Sequence, residues 1–166
     1  SRLGLCTRLA CACWLLAAGA DPNYTWQGRT VLHLLTWVRR PGAGSNDPAP
    51  EGTGKMTDLE FVREVVKRGA DVNRRMTASG GPRTTLHLRG ATPFFLTART
   101  ADPELMRLLV ELGADPSIPN SDGTTPLMAA AGVDVQSPGE DPGTEEEVFE
   151  AVKLAVSDVA GCDYCV

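Results

Sequence analysis

Few side chains in this 166-residue chain have the types and spacing for chemistry. There are two histidines, His33 and His87. His87 lies near Arg83 and Arg89 in a Gly- and Thr-rich stretch. As a general base it would need a carboxylate or a nucleophile in reach, and no sequence neighbour supplies one. Cys162-Asp163-Tyr164-Cys165 has the spacing of a metal or redox half-site. A tetrahedral zinc site needs a second pair, and the chain holds no other C-x-x-C and no H-x-x-x-H. Cys11-Ala12-Cys13 is too tight for an easy bridge, and five cysteines cannot all pair within one chain. Neither a metal nor a cofactor is expected.

Paired carboxylates are the remaining route to catalysis. Asp58, Glu60 and Glu64 open one helical pattern and Glu145, Glu146 and Glu147 another, where acids suit the positive helix end. A glycosidase-like pair is defined by separation in space, which residue order does not give. No Walker sequence, G-x-S-x-G or H-E-x-x-H occurs. Gly42-Ala43-Gly44 lacks the strand–helix context that a nucleotide loop needs.

The elements that must hold these groups are helical. Apolar residues recur at three- and four-residue steps at Trp14–Leu16, Phe61–Val66, Leu105–Val110 and Val148–Ala155. The first three end in Gly-Ala-Asp at Gly19, Gly69 and Gly113, with a degenerate Gly161-Cys162-Asp163 after the fourth. A glycine there supplies the left-handed residue that stops a helix. That last exit leaves two outcomes open, a helix that runs on or one that ends after Val156. Gly-x-Thr turns at Thr30, Thr92 and Thr125 precede shorter helices, expected over Val31–Val38, Pro93–Thr100 and Pro126–Ala131. Threonine caps each, and Pro93 and Pro126 take a first helical position where a missing N–H costs nothing.

Thr92 and Thr125 stand 33 residues apart, a period that marks stacked helix pairs. An undecorated unit runs 21 residues from Thr92 to Gly113, whereas Thr30 to Gly69 spans 39 and Thr125 to Gly161 spans 36. The surplus falls in Pro41–Gly54 and Asp134–Thr144, both rich in Gly, Pro, Asp and Ser and expected to be irregular loops. A third insertion, Arg74–Arg89, has Gly80-Gly81-Pro82 at its centre and Thr-rich flanks able to pair as an extended hairpin finger.

With 42% apolar and 22% charged residues the chain can bury a core. A net charge of -5 argues against a nucleic-acid partner, and no apolar stretch reaches the length of a membrane span. The charge is uneven: Arg74, Arg75, Arg83 and Arg89 cluster centrally, and acids cluster from Glu140 to Glu150. Arg2, Arg8 and the apolar run Leu9–Ala20 imitate a secretory signal. The run ends in Gly19-Ala20-Asp21, however, and reads as the second helix of a partial repeat. With no initiator Met, the sequence is expected to be a fragment of a longer chain or a processed one.

Gly-x-Thr-Pro-Leu-x-x-Ala-Ala followed by Leu-Leu-x-x-Gly-Ala-Asp resembles the ankyrin repeat, with Pro93–Ala131 the most specific stretch. The long loops resemble bacterial members more than compact eukaryotic ones. Thr30-Val31-Leu32-His33 is similar to the family's Thr-Pro-Leu-His signature, which implies that His33 hydrogen-bonds turn backbone. The resemblance implies an all-α solenoid over 1–166: a partial repeat at 1–23, then units at 24–73, 74–117 and 118–166. It further implies a non-enzymatic module that binds a protein or peptide with its concave face and turn tips. Carried over residue by residue, the contact positions are Trp26, Gln27, Arg29 and Trp37, then Leu88, Arg89 and Arg99, then Asp122 and Thr124. Trp37 has a second reading, packed under the Pro41–Gly54 loop. A small hydrolase built on the inserted loops is the rival function, and an assembly piece is a third.

Overall fold

Helices begin where threonine or aspartate can cap them and end where glycine turns left-handed. The structure is a computed structural model that describes residues 16–40, 56–78, 86–133 and 143–160, with backbone alone for 157–160. Its helices are α1 (Val31–Arg39), α2 (Asp58–Lys67), α3 (Pro93–Arg99), α4 (Pro103–Glu111), α5 (Pro126–Ala130) and α6 (Glu145–Ala160). No strand occurs among the described residues, so the fold is all-α. The short helices end within a residue of expectation. The last helix runs on past Val156 to Ala160.

Each start has a local cause. Thr92 Oγ1 accepts the Phe95 N–H and Thr125 Oγ1 the Met128 N–H, both at 3.2 Å. Thr57 and Glu60 form a reciprocal capping box, with Thr57 N–H donating to Glu60 Oε2 at 2.7 Å. Asp102 caps α4 by accepting the Leu105 N–H at 3.1 Å. The exit glycines Gly19, Gly69 and Gly113 have φ of 90°, 95° and 94°, a region closed to most side chains.

The short helices α1, α3 and α5 stack in one layer, and α2, α4 and α6 pack behind them. Leu32, Leu35, Phe61, Val65, Phe94 and Leu105 belong to the main core between the layers. Small residues let the inner helices approach, and Ala98, Ala129 and Ala130 are buried there. The insertion expected at 41–54, and that at 134–144 except for its last two residues, lie outside the described residues, as do Cys11, Cys13, Cys162 and Cys165.

Neighbouring units are also sewn together by an asparagine ladder that sequence reading missed. Asn23 Nδ2 donates to Gly69 O at 2.8 Å, and its Oδ1 accepts the Asp71 N–H at 2.8 Å. One unit on, Asn73 repeats both bonds with Gly113 O and the Asp115 N–H, at 3.1 and 2.8 Å. The signal was available as Gly-Ala-Asp-x-Asn at 19–23 and 69–73. Replacing Asn73 with alanine removes two inter-unit bonds and is expected to cost about 1–2 kcal/mol in urea unfolding. A loss of only a few tenths would show that water substitutes for them.

Candidate functional site

The turn edge is built from three tips in the same register: Trp26-Gln27-Gly28-Arg29, Leu88-Arg89-Gly90-Ala91 and Ser121-Asp122-Gly123-Thr124. In the first, Trp26 and Arg29 exchange both backbone bonds, at 2.9 and 3.0 Å. Gln27 and Gly28 both have positive φ, 49° and 75°, the geometry of a type I′ two-residue hairpin. A Cβ on Gly28 would sit 2.5 Å from the Ala78 backbone nitrogen, so glycine is required there twice over.

The tips are joined sideways by backbone. Thr77 N–H donates to Gly28 O at 3.1 Å, Met76 N–H to Ala91 O at 2.8 Å, and Ser121 N–H to Arg89 O at 2.8 Å. The base of the inserted segment is therefore paired across the edge, while its centre at 79–85 lies outside the described residues. Arg75 spans two tips, donating through Nε to Gly90 O at 3.1 Å and through Nη2 to Pro119 O at 2.9 Å. Asn120 is buried and organises the last tip. It donates to His87 O and accepts the N–H groups of Asp122 and Thr124.

The nine expected contact residues fall into separate groups. Trp26 is 56% exposed and Trp37 60% exposed; Gln27 and Arg89 are exposed and Arg29 is partly so. Asp122 is exposed and pairs with His87, Oδ2 to Nδ1 at 3.0 Å, and Thr124 is half-buried. Trp37 and Arg99 stand seven residues after their turn threonines, the same place on α1 and α3. Leu88 is a correction. It is only 8% exposed, packed with Met76, Leu86, Phe95 and Leu96 in a second core under the inserted segment. It holds the register of exposed Trp26, but the insertion covers it, and its area is spent inside the molecule.

A cavity of about 200 Å³ opens beside the first tip, lined by Leu16, Tyr24, Trp26, Arg29, Val31 and Leu34 among others. Tyr24, which sequence reading did not single out, is 70% exposed there.

His33 is structural, as the signature implied. Its Nδ1 accepts the Thr30 N–H at 3.1 Å, so Nε2 carries the proton and donates to Ala91 O at 3.3 Å, in the next unit. Burial, with the charge of Arg29 adding to it against the backbone hydrogen bonds, lowers the His33 pKa to about 4. His87 meets a carboxylate, yet this exposed pair has no nucleophile joined to it among the described residues.

Among the described residues the carboxylates form no hydrolytic pair. Asp58, Asp102 and Glu104 all converge on Arg39, at 3.5, 2.7 and 3.0 Å. Where carboxyl groups are displaced, at Glu60, Glu111, Asp115 and Glu147, the direction is downward, through hydrogen bonds to the charged form. A general acid near neutral pH needs the opposite direction. The hydrolase alternative has no support among the described residues. Nor does any group of three His, Cys, Asp or Glu there suit a metal ion, and no helix there is long and apolar enough to cross a membrane.

A family model described as the ankyrin repeat matches residues 89–121, from the second tip to the third. No curated protein matches the chain.

Proposed function

We propose that this ankyrin-repeat protein is a non-enzymatic module that holds a protein or peptide along its turn tips and the adjoining inner-helix face. Ankyrin repeats generally mediate protein–protein interactions. What supports the reading in this chain is the exposure of Tyr24, Trp26 and Trp37, large amphipathic rings left in water, the first two beside Arg29. Trp, Tyr and Arg are the residue types that dominate interface energetics when a partner excludes water from them. A scaffold cross-bonded from tip to tip presents them with little ordering left to do.

In this reading residues 1–166 act as one domain, and the units at 24–73, 74–117 and 118–166 each contribute one tip. The contact set is Trp26, Gln27, Arg29, Trp37, Arg89, Arg99, Asp122 and Thr124. Once a partner is identified by cross-linking, Trp26→Ala is expected to weaken the complex about tenfold or more, and Arg29→Ala with Arg89→Ala severalfold. Titration calorimetry measures both. Unchanged affinity in both variants would remove the turn edge from the interface.

A further inference from the structure

Nine of the described arginines divide by location. Arg39, Arg40, Arg63, Arg68 and Arg107, on or at the ends of helices, each meet a carboxylate. On the turn edge Arg29, Arg74, Arg75 and Arg89 meet none among the described residues. Arg75 uses its donors on the carbonyls of Gly90 and Pro119, which leaves its charge uncompensated. Asp122, the carboxylate of the last tip, is engaged by His87. Asp71 and Asp115 each turn an oxygen onto a backbone N–H two residues on.

These arginines are neighbours across units. Arg29 and Arg74 both act on buried His33, and Thr77 and Met76 tie their segment to Gly28 and Ala91. Five exposed glutamates, Glu60, Glu104, Glu111, Glu145 and Glu146, lie on the outer helices, while the turn side has the aspartates Asp21, Asp71, Asp115 and Asp122, none within 4 Å of these arginines. A chain of net charge -5 thus presents, along this edge, four arginines that form no ion pair with a described carboxylate. Such segregation attracts an acidic partner over roughly a Debye length, about 10 Å at 0.1 M salt. At one end of the edge lies the cavity lined by Tyr24, Trp26, Val31 and Leu34, with Arg29 and Asp21 both at its wall.

We infer that the partner segment is an acidic peptide whose carboxylates run along Arg29, Arg74, Arg75 and Arg89 while one apolar side chain enters the Tyr24–Trp26 cavity. This rests on the binding-module reading and gives its partner a chemistry. An apolar cavity at the end of the charges suits a peptide, and the acidic outer helices disfavour a long polyanion.

The test uses fluorescence anisotropy with the whole chain and four fluorescein-labelled probes. They are a glutamate–leucine peptide, its lysine–leucine counterpart, a leucine-free glutamate peptide and a thymidine oligonucleotide. The glutamate–leucine peptide is expected to bind best, severalfold better than the leucine-free one, and to weaken steeply with salt. Arg29→Glu with Arg74→Glu and Arg89→Glu should cost about tenfold or more, and Trp26→Ala severalfold. Arg63→Glu with Arg107→Glu, on the outer helices, should change nothing. Circular dichroism melts establish that each variant folds, and the Arg-to-Gln triple variant replaces any that does not.

Equal binding of both leucine peptides, tighter binding of the oligonucleotide, or indifference to the triple variant overturns the inference. If no peptide binds while Trp26→Ala still disrupts a complex with a cross-linked partner, the acidic chemistry alone falls. If that complex is also indifferent to Trp26, Arg29 and Arg89, the binding edge falls with it.

Discussion

Asp102→Ala is expected to destabilise the protein by about 3–5 kcal/mol, the cost of stranding a buried charge by removing its partner. The Asp102 side chain is 2% exposed and takes two hydrogen bonds from Arg39, Nε at 2.7 Å and Nη2 at 3.3 Å. Arg40 approaches the same carboxylate at 3.8 Å and continues to Glu147 in the first turn of α6, Nη1 to Oε2 at 2.9 Å. One carboxylate therefore holds the end of α1, caps α4 and reaches α6. Burial pulls the Arg39 pKa down, but hydrogen bonding and the charge of Asp102 outweigh it and the net shift is upward. For Arg40 the hydrogen bond it donates to Glu147 leads, and its pKa too is raised.

Loss of the α4 cap contributes about 1 kcal/mol of the expected cost. Asp102→Asn separates the two effects, because asparagine caps equally well but carries no charge. Its deficit should be smaller by about that cap term, and Arg39→Met combined with Asp102→Ala should be milder than the sum of the single changes. Urea unfolding at neutral pH measures all of these. A loss below about 1 kcal/mol for Asp102→Ala would show that Arg39 is served adequately by Asp58 and Glu104. Because solenoid stability is a sum of unit and neighbour-interface terms, the loss should appear as weaker coupling between units.

Acidification from pH 6.5 to about 4 is expected to remove about 3 kcal/mol through His33 alone. The ring is 2% exposed, and its pKa falls from 6.5 to about 4 because burial disfavours the imidazolium. In the unfolded chain it takes up a proton near the ordinary histidine value of 6.5, so between these pH values the unfolded state binds more protons. Stability is complete above 6.5, falls as pH drops through that window, and is fully lost below about 4. The magnitude follows from about 1.36 kcal/mol for each unit of pKa difference. Protonation also forces a donor onto Nδ1, where the Thr30 N–H already donates.

A second window lies lower. Arg40 first, then the Thr144 N–H, hold Glu147 down to about 2, so its contribution disappears as pH falls from 4.5 toward 2. His33→Gln should flatten the upper window at the cost of lower stability at neutral pH, and leave the lower window in place. Thermal unfolding against pH measures this, and an unchanged slope between 6.5 and 4 in the variant would assign the acid sensitivity elsewhere.

Residue order alone determined the helices, the caps and the repeat. Glycine at Gly69 and Gly113, threonine at Thr92 and Thr125 and proline at Pro93 and Pro126 act on backbone within a few residues of themselves. The apolar stripes likewise report a face whichever neighbour it meets. His33 was legible for the same reason, since its cap partner Thr30 is three residues away.

The tertiary structure decided what the stacked units do to one another. Arg39 meets Asp102 across 63 residues and Arg40 meets Glu147 across 107, and nothing in the local pattern pairs them. Leu88 and Trp26 share a register, yet only Leu88 is covered, because one insertion folds over its tip. Which arginines find acids and which remain uncompensated was decided in the same way. Charge pairing depends on distances that only stacking sets, whereas helix boundaries depend on torsions that each residue imposes on itself.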